Sequence, residues 1–334
     1  MKKIILALFS APLFVLPLTV TAAPAPVFVL EKAIAIGGEA RWDYLYADSA
    51  QHRLYVSHGT QTEVIDTQSD KIIGTIADTA GVHGIAIATQ LGRGYTSNGK
   101  TDSVTVFDLA TLKTLSIIKV GTNPDAIVYV PVSKLIVTFN GRSKDATVVD
   151  AQSEKVLGTV AIGNKPEFAQ VDNSGKVVFN IEDSSELAVL DPVALKLTQR
   201  VSIKPCDSPT GLAIDDKQRL YSVCDNKMMV ISAPDGKAIA QTSIGSGPDG
   251  VAWMDGYAFS ANGADGNVSM VAETSPGKFK TVATIVTAAG ARTIAADPAT
   301  HKLYLPVSDF KPGVKGEKRQ GLPDTFRVLV LGTK

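Results

Sequence analysis

The sequence predicts an all-β, seven-bladed β-propeller, and three observations predict it. A short turn ahead of an apolar strand recurs seven times, roughly 40 residues apart. Each interval holds four short, β-branched runs separated by Gly, Pro, Asp and Ser, which is the pattern of a propeller blade. The last interval is one strand short, and a strand-like segment without partners, residues 27–36, stands before the first.

The turns are Arg41-Trp42-Asp43-Tyr44, Gly81-Val82-His83-Gly84, Asn123-Pro124-Asp125-Ala126, Lys165-Pro166-Glu167-Phe168, Ser208-Pro209-Thr210-Gly211, Gly247-Pro248-Asp249-Gly250 and Gly290-Ala291-Arg292-Thr293. An inner strand follows each, as in Gly84-Ile85-Ala86-Ile87. The second strand reads Arg53-Leu54-Tyr55-Val56-Ser57 or Lys302-Leu303-Tyr304-Leu305. The third ends in Asp, at Asp66, Asp108, Asp150 and Asp191, and a polar turn leads to the fourth. The runs lack the 3.6-residue period of a helix. In the seventh repeat Phe326 to Leu331 is the third strand, and residues 27–36 are expected to supply the fourth. That pairing closes the ring and removes an exposed edge.

The segment ahead of the ring reads as a secretory signal, residues 1–22. Lys2 and Lys3 precede an apolar run from Ile4 to Val20 that Pro12 and Pro17 interrupt, and Val20-Thr21-Ala22 offers small residues for cleavage. Residues 23–334 are then one propeller domain, periplasmic or secreted. No later stretch is long enough to span a bilayer as a helix. In an oxidising compartment Cys206, in the loop entering the fifth blade, is expected to pair with Cys224, near the end of that blade's second strand.

Composition narrows the function classes. The chain has 334 residues, 45 % of them hydrophobic, with 33 basic and 33 acidic side chains. A neutral chain lacks the electrostatic attraction that dominates nucleic-acid affinity. No Gly-x-Ser-x-Gly elbow, phosphate-binding Gly-rich loop, His-Glu-x-x-His helix or haem-attachment Cys-x-x-Cys-His occurs.

The second strands Tyr55-Val56-Ser57-His58 and Tyr95-Thr96-Ser97-Asn98 resemble the Tyr-Val-Thr-Asn signature of the YVTN-repeat, YncE-like propellers. The Pro-Asp-Ala, Pro-Thr-Gly and Pro-Asp-Gly turns resemble that family's pre-strand motif. The resemblance covers essentially all of residues 23–334. It implies an exported seven-bladed propeller and raises single-stranded nucleic-acid binding, without implying a defined activity.

The turns beginning the inner strands should ring the channel mouth with Asp43, His83, Asp125, Glu167, Thr210, Asp249 and Arg292. The loops between second and third strands are expected to add His58, Asn98, Asn140, Glu182, Asp183, Asp225, Asn262 and Asp309. Such oxygen-rich side chains can hold a hard cation such as Ca²⁺ or Mg²⁺ or a polar ligand, and equally can cap turns. With four histidines in all, a His-rich transition-metal site is not expected. A basic loop, Ser308 to Thr325 with Lys311, Lys315, Lys318 and Arg319, can fold over the mouth and steer an anion.

The leading expectation is a non-enzymatic, monomeric binding or scaffold protein without a resident cofactor. Its mouth would meet a small polar ligand or an envelope protein. The alternative is a metal-assisted lactonase or lyase. There Glu167 or Glu182 is the base, His83 an acid, and Asn98, Asn140 and Asp249 are the metal ligands. Single-stranded nucleic-acid binding would instead use stacking aromatics. Trp42 and Phe168 flank the ring, where they are expected to pack between blades.

Overall fold

Within each repeat the four runs pair in chain order as antiparallel strands, so the described residues form seven four-stranded sheets. The computed structural model describes residues 25–233, 235–311 and 320–334. The expected signal segment, residues 1–22, lies outside them, as do Lys315, Lys318 and Arg319 of the basic loop. No helix among the described residues is long and apolar enough to cross a membrane.

Blade 3 shows the plan, with strands Pro124–Val130, Leu135–Asn140, Asp145–Asp150 and Val156–Ala161 from channel to rim. Its second strand is buried along its whole length, while the outermost alternates toward solvent. The reason is position. Central strands are covered on both faces by neighbouring blades, so they read as continuous apolar runs rather than as alternation. The cores accordingly lie between blades. Phe139 of blade 3 meets Phe179 of blade 4 at 4.6 Å between ring centroids, and Tyr55 of blade 1 meets Phe107 of blade 2 at 5.9 Å. Each side chain fully buried this way contributes about 1.5–3 kcal/mol relative to exposure.

The ring closes as the repeat count requires. Strand Phe28–Ala35 is the outermost of blade 7 and pairs antiparallel with Arg327–Thr333, from Phe28 opposite Thr333 to Ala35 opposite Arg327. The third-strand aspartates are turn formers. Asp66, Asp108, Asp150 and Asp191 accept, through Oδ1, the backbone N–H of Ser69, Thr111, Ser153 and Ala194 at 2.6–2.9 Å.

Cys206 and Cys224 form the expected disulfide, with Cα atoms 5.5 Å apart. Its place in the repeat explains it. Asn98, Asn140 and Asn262 end the second strands of blades 2, 3 and 6, and Cys224 ends that of blade 5. Each Asn donates from Nδ2 to a third-strand hydroxyl: Thr105 at 2.8 Å, Thr147 at 3.0 Å, Ser269 at 2.9 Å. In blades 3 and 6 the same amide packs on the entry loop, where a Cβ at Gly121 or Gly245 would meet Nδ2 at 2.5 or 2.7 Å. Gly121, Cys206 and Gly245 all stand three residues before the blade-entry proline. In blade 5 Met229 stands where blade 3 has Thr147, opposite the second strand. A polar latch has no hydroxyl to hold there, and a covalent one takes its place.

Candidate functional site at the channel mouth

The side chains of the inner ring are aimed by a local irregularity. In blades 2, 3, 4 and 6 the pairing of first and second strands slips just after its first residue, at Val82, Pro124, Pro166 and Pro248. His83, Asp125, Glu167 and Asp249 are the residues within or beside these bulges. A bulge leaves a residue out of the ladder and re-aims its side chain. Proline begins three of these strands, where its missing N–H costs no ladder bond. The second-strand serines anchor the same turns. Asp43 N–H donates to Ser57 Oγ at 2.7 Å and Gly84 N–H to Ser97 Oγ at 2.9 Å.

The ring is largely self-neutralised, which the sequence did not show. His83 Nδ1 lies 2.5 Å from Asp43 Oδ2 and 3.7 Å from Asp125 Oδ1. Lys165 Nζ lies 2.6 Å from Glu167 Oε1 and also bonds Glu182. Arg292 Nε donates to Asp249 Oδ2 at 2.7 Å. Its Nη2 reaches the Trp42 carbonyl at 3.1 Å, and its guanidinium lies 5.3 Å over the Trp42 ring. Thr210 turns aside and donates to the Pro248 carbonyl at 3.3 Å.

Burial and neighbouring charge perturb these groups. Burial alone would lower the His83 imidazole, but the Asp43 hydrogen bond and the fields of Asp125 and Asp43 push it up to about 9. Burial, then the field of Asp43, raises Asp125 to about 6 against the pull of His83. Burial and the Asp125 charge push Glu167 up to about 9 despite Lys165. Burial and Asp43 also raise Asp249, which Arg292 opposes. His83 is therefore an imidazolium at neutral pH.

These three values carry one sign for stability. The folded state holds protons on Asp125 between about 4 and 6, on Glu167 between about 4.5 and 9, and on His83 between about 6.5 and 9, where the unfolded chain releases them. Their contribution falls as pH rises through those windows. Glu167→Gln, which keeps the neutral shape, should gain thermal stability relative to the parent as pH climbs from 5 to 9. A difference in Tm between the two proteins that does not change with pH would count against this reading.

The mouth over blades 7, 1, 2 and 3 is a cavity of ≈ 830 Å³. Arg41, Lys100, Arg142 and Arg292 line it together with His83, Trp42 and Phe310. Its acids are committed: Asp43 to His83, and Asp102 to the Asn123 N–H at 2.8 Å. Phe310 belongs to the base of the basic loop, which a bridge to Gly321 pins, and lies 5.9 Å from Trp42. A second, shallower depression over blades 4 to 6 takes Glu182, Thr210 and Asp225.

Most of the expected outer set does not join the mouth. Asn98, Asn140 and Asn262 are fully buried in the latches described above. His58 is buried too, with Nδ1 3.1 Å from Glu63, Nε2 2.7 Å from the Glu39 carbonyl and its ring stacked on Phe326. Asp183 pairs with Lys144 and Asp309 with Arg327. The lactonase reading thereby loses two of its ligands, since Asn98 Oδ1 accepts from Thr96 and Asp249 is held by Arg292, while Asn140 is fully buried in its latch with Oδ1 unpartnered. A different trio, Asp43, His83 and Asp125, has ligand atoms within 4.8 Å of one another. One nitrogen and two carboxylates suit a transition metal better than Ca²⁺ or Mg²⁺.

Below the ring the channel is blocked. Tyr44 of blade 1 and Phe168 of blade 4 meet edge to face at 4.7 Å between centroids, from nearly opposite sides. Burial, followed by the charges of Asp249, Asp43, Glu167 and Asp125, raises the Tyr44 phenol well above its ordinary value. Carboxylates of four blades act on it, which places it near the axis. Trp42 packs as expected, against Phe326, whereas Phe168 packs on the blade 4–5 core and also reaches across the channel. A signal for the plug existed. The residues after the seven ring positions are Tyr44, Gly84, Ala126, Phe168, Gly211, Gly250 and Thr293, five small and two aromatic.

No family model matches the chain, and no curated protein matches it. Solved structures do. The chain is similar to the Kuenenia stuttgartiensis hydrazine synthase, at 16 % identity and a TM-score of 0.68 over 86 % of this chain and 95 % of that one. It is also similar to U3-55K, at 8 % identity and a TM-score of 0.73 over 89 % of this chain and 97 % of that one. The RRP9 WD40 repeats match at 8 % identity and a TM-score of 0.74, over 90 % and 97 %. Identities this low establish a shared propeller fold and nothing of activity.

Proposed function

We propose that this chain is an exported binding propeller that takes a small anionic ligand, a carboxylate or phosphate, at its channel mouth. The cavity carries the reading. At ≈ 830 Å³ it falls within the usual range for small-molecule sites, about 300–1,000 Å³. Arg41, Lys100 and Arg142 line it beside His83 and Arg292, which are themselves paired with Asp43 and Asp249, so the cations of the wall outnumber its one carboxylate without a cationic partner, Asp102. Guanidinium and ammonium groups converging in a concave wall recognise oxyanions by charge-assisted hydrogen bonds. Export rests on the N-terminal charged and apolar run. The Tyr-Val-Ser and Tyr-Thr-Ser strands support kinship with the YVTN-repeat propellers.

Trp42 sits in the cavity wall, so its fluorescence reports occupancy. Citrate or inorganic phosphate should shift it, and spermidine should not. The double variant Lys100→Ala/Arg142→Ala should weaken binding at least tenfold and flatten its salt dependence. Citrate and phosphate leaving the parent unchanged would refute the anion reading. A divalent metal at Asp43, His83 and Asp125 is the second reading, favoured by their proximity. It predicts metal affinity that rises with pH as His83 loses its proton and that Asp125→Asn abolishes.

A further inference from the structure

We propose that the opposite end of the channel is a second binding site, for a small uncharged aromatic or branched aliphatic molecule. Beneath the Tyr44–Phe168 pair lies a cavity of ≈ 540 Å³ that opens on the face away from the mouth. Its walls come from the inner strands of blades 1 to 4 and from their first-to-second-strand turns, such as Pro131 and Val132. The void is written in small side chains: Gly84, Ala86, Ala126 and Ala169 line it where bulkier residues would fill the channel.

The lining chooses the chemistry. Asp172 is its one carboxylate or cationic residue among the described residues, and Asp172 Oδ1 accepts from the N–H groups of Ser174 and Lys176 at 2.8 and 2.9 Å. Two further polar side chains of the lining are engaged as well. Gln170 Nε2 donates to the Leu212 carbonyl at 2.8 Å, and Tyr129 Oη accepts from Gln90 Nε2 at 2.8 Å. An anionic guest would lose its hydration and meet no cation in the lining, which is prohibitive, and a cationic one would have to compete with the two N–H groups that already hold Asp172. An apolar guest meets Ile85, Ile87, Val128 and Val171 on the walls and two aromatic rings at the inner end. The inner strands are the channel edges of their sheets and have no ladder partner on that side. Their edge N–H and C=O groups can hydrogen-bond one neutral polar group of the guest. The two ends of the channel thus select opposite chemistries, and the aromatic pair separates them.

The test uses N-phenyl-1-naphthylamine, whose fluorescence rises on burial, and its sulfonated analogue 8-anilinonaphthalene-1-sulfonate. The neutral probe should bind the full chain one to one, and excess anionic analogue should not displace it. Val128→Trp, which fills the cavity, should weaken the neutral probe at least tenfold. Ile117→Ser on an exposed outer strand should leave binding unchanged. If circular dichroism shows Val128→Trp unfolded, Val132→Trp at the rim, where Val132 is 74 % exposed, takes its place. Three results would overturn the proposal: no binding of the neutral probe, its displacement by the anionic one, or loss of binding in Ile117→Ser but not in the cavity variants.

Discussion

Arg292→Ala is expected to lower unfolding stability by about 1–3 kcal/mol, between the values for surface and buried ion pairs. Arg292 of blade 7 holds Asp249 of blade 6 through Nε and the Trp42 carbonyl of blade 1 through Nη2, while its face covers the Trp42 indole. One side chain therefore ties three blades across the seam where the ring closes. Removing it leaves Asp249, a quarter exposed, near Asp43 and the Tyr44 phenol without its hydrogen-bonded cation, with only the more distant Lys165 opposing them. Stranding a half-buried carboxylate costs far more than the pair itself contributes. Arg292→Lys should recover part of the loss, since an ammonium can meet Asp249 but cannot span two acceptors in a fixed fork. Urea unfolding measures both. A loss below about 0.5 kcal/mol would mean that the pair behaves as an ordinary surface ion pair.

The second large effect is expected from Cys206→Ser/Cys224→Ser. The disulfide closes a loop with a sequence separation of 18, for which chain entropy predicts about 3 kcal/mol. Both sulfurs are buried, so the reductant must wait for local opening and the native protein should resist it. The double variant should stay folded, because the latch serves one blade of seven, but should unfold at lower urea. Equal midpoints for parent and double variant would show that the blade-entry loop is held by packing alone. The comparison with Asn140 and Asn262 gives this test its meaning. Those amides perform the same fastening by hydrogen bonds, and blade 5 has lost their hydroxyl partner to Met229.

The fold was legible because a propeller is repetition, and repetition survives in turn residues even when core residues drift. Seven evenly spaced turns gave the blade count, and the deficit of one strand located its partner at the other end of the chain. The disulfide was legible for the same reason: both cysteines fall at fixed points of the repeat. The inner ring was half legible. Asp43, His83 and Arg292 do line the mouth cavity, and Asp125 lies beside His83, but the pairing of the charges was not legible: Lys165 meets Glu167 within its own turn, whereas Arg292 reaches Asp249 only across the seam of blades 6 and 7. The outer set misled because Asn at a strand end looks the same whether its amide faces a ligand or a hydroxyl one turn away. That choice depends on Thr105, Thr147 and Ser269, which lie across a hairpin. Arg41, Lys100 and Arg142 were missed as a group because each belongs to a different blade, and no local pattern joins them.

The pairing of Phe28–Ala35 with Arg327–Thr333 also dictates an order of events. Phe28–Ala35 can find its partner only after six blades and most of a seventh have been made. Until then blade 7 lacks its outer strand, and the bonds of Arg292 and Thr293 back to blade 1 have no fixed geometry. Contacts between the chain ends carry the greatest loop-closure entropy, so they belong late in folding and make its final step slow. A nascent chain with six blades would be a crescent with two raw edges. The completed toroid is the first species in which neither mouth nor lower cavity can splay, so ligand binding would serve as a readout of the last folding step.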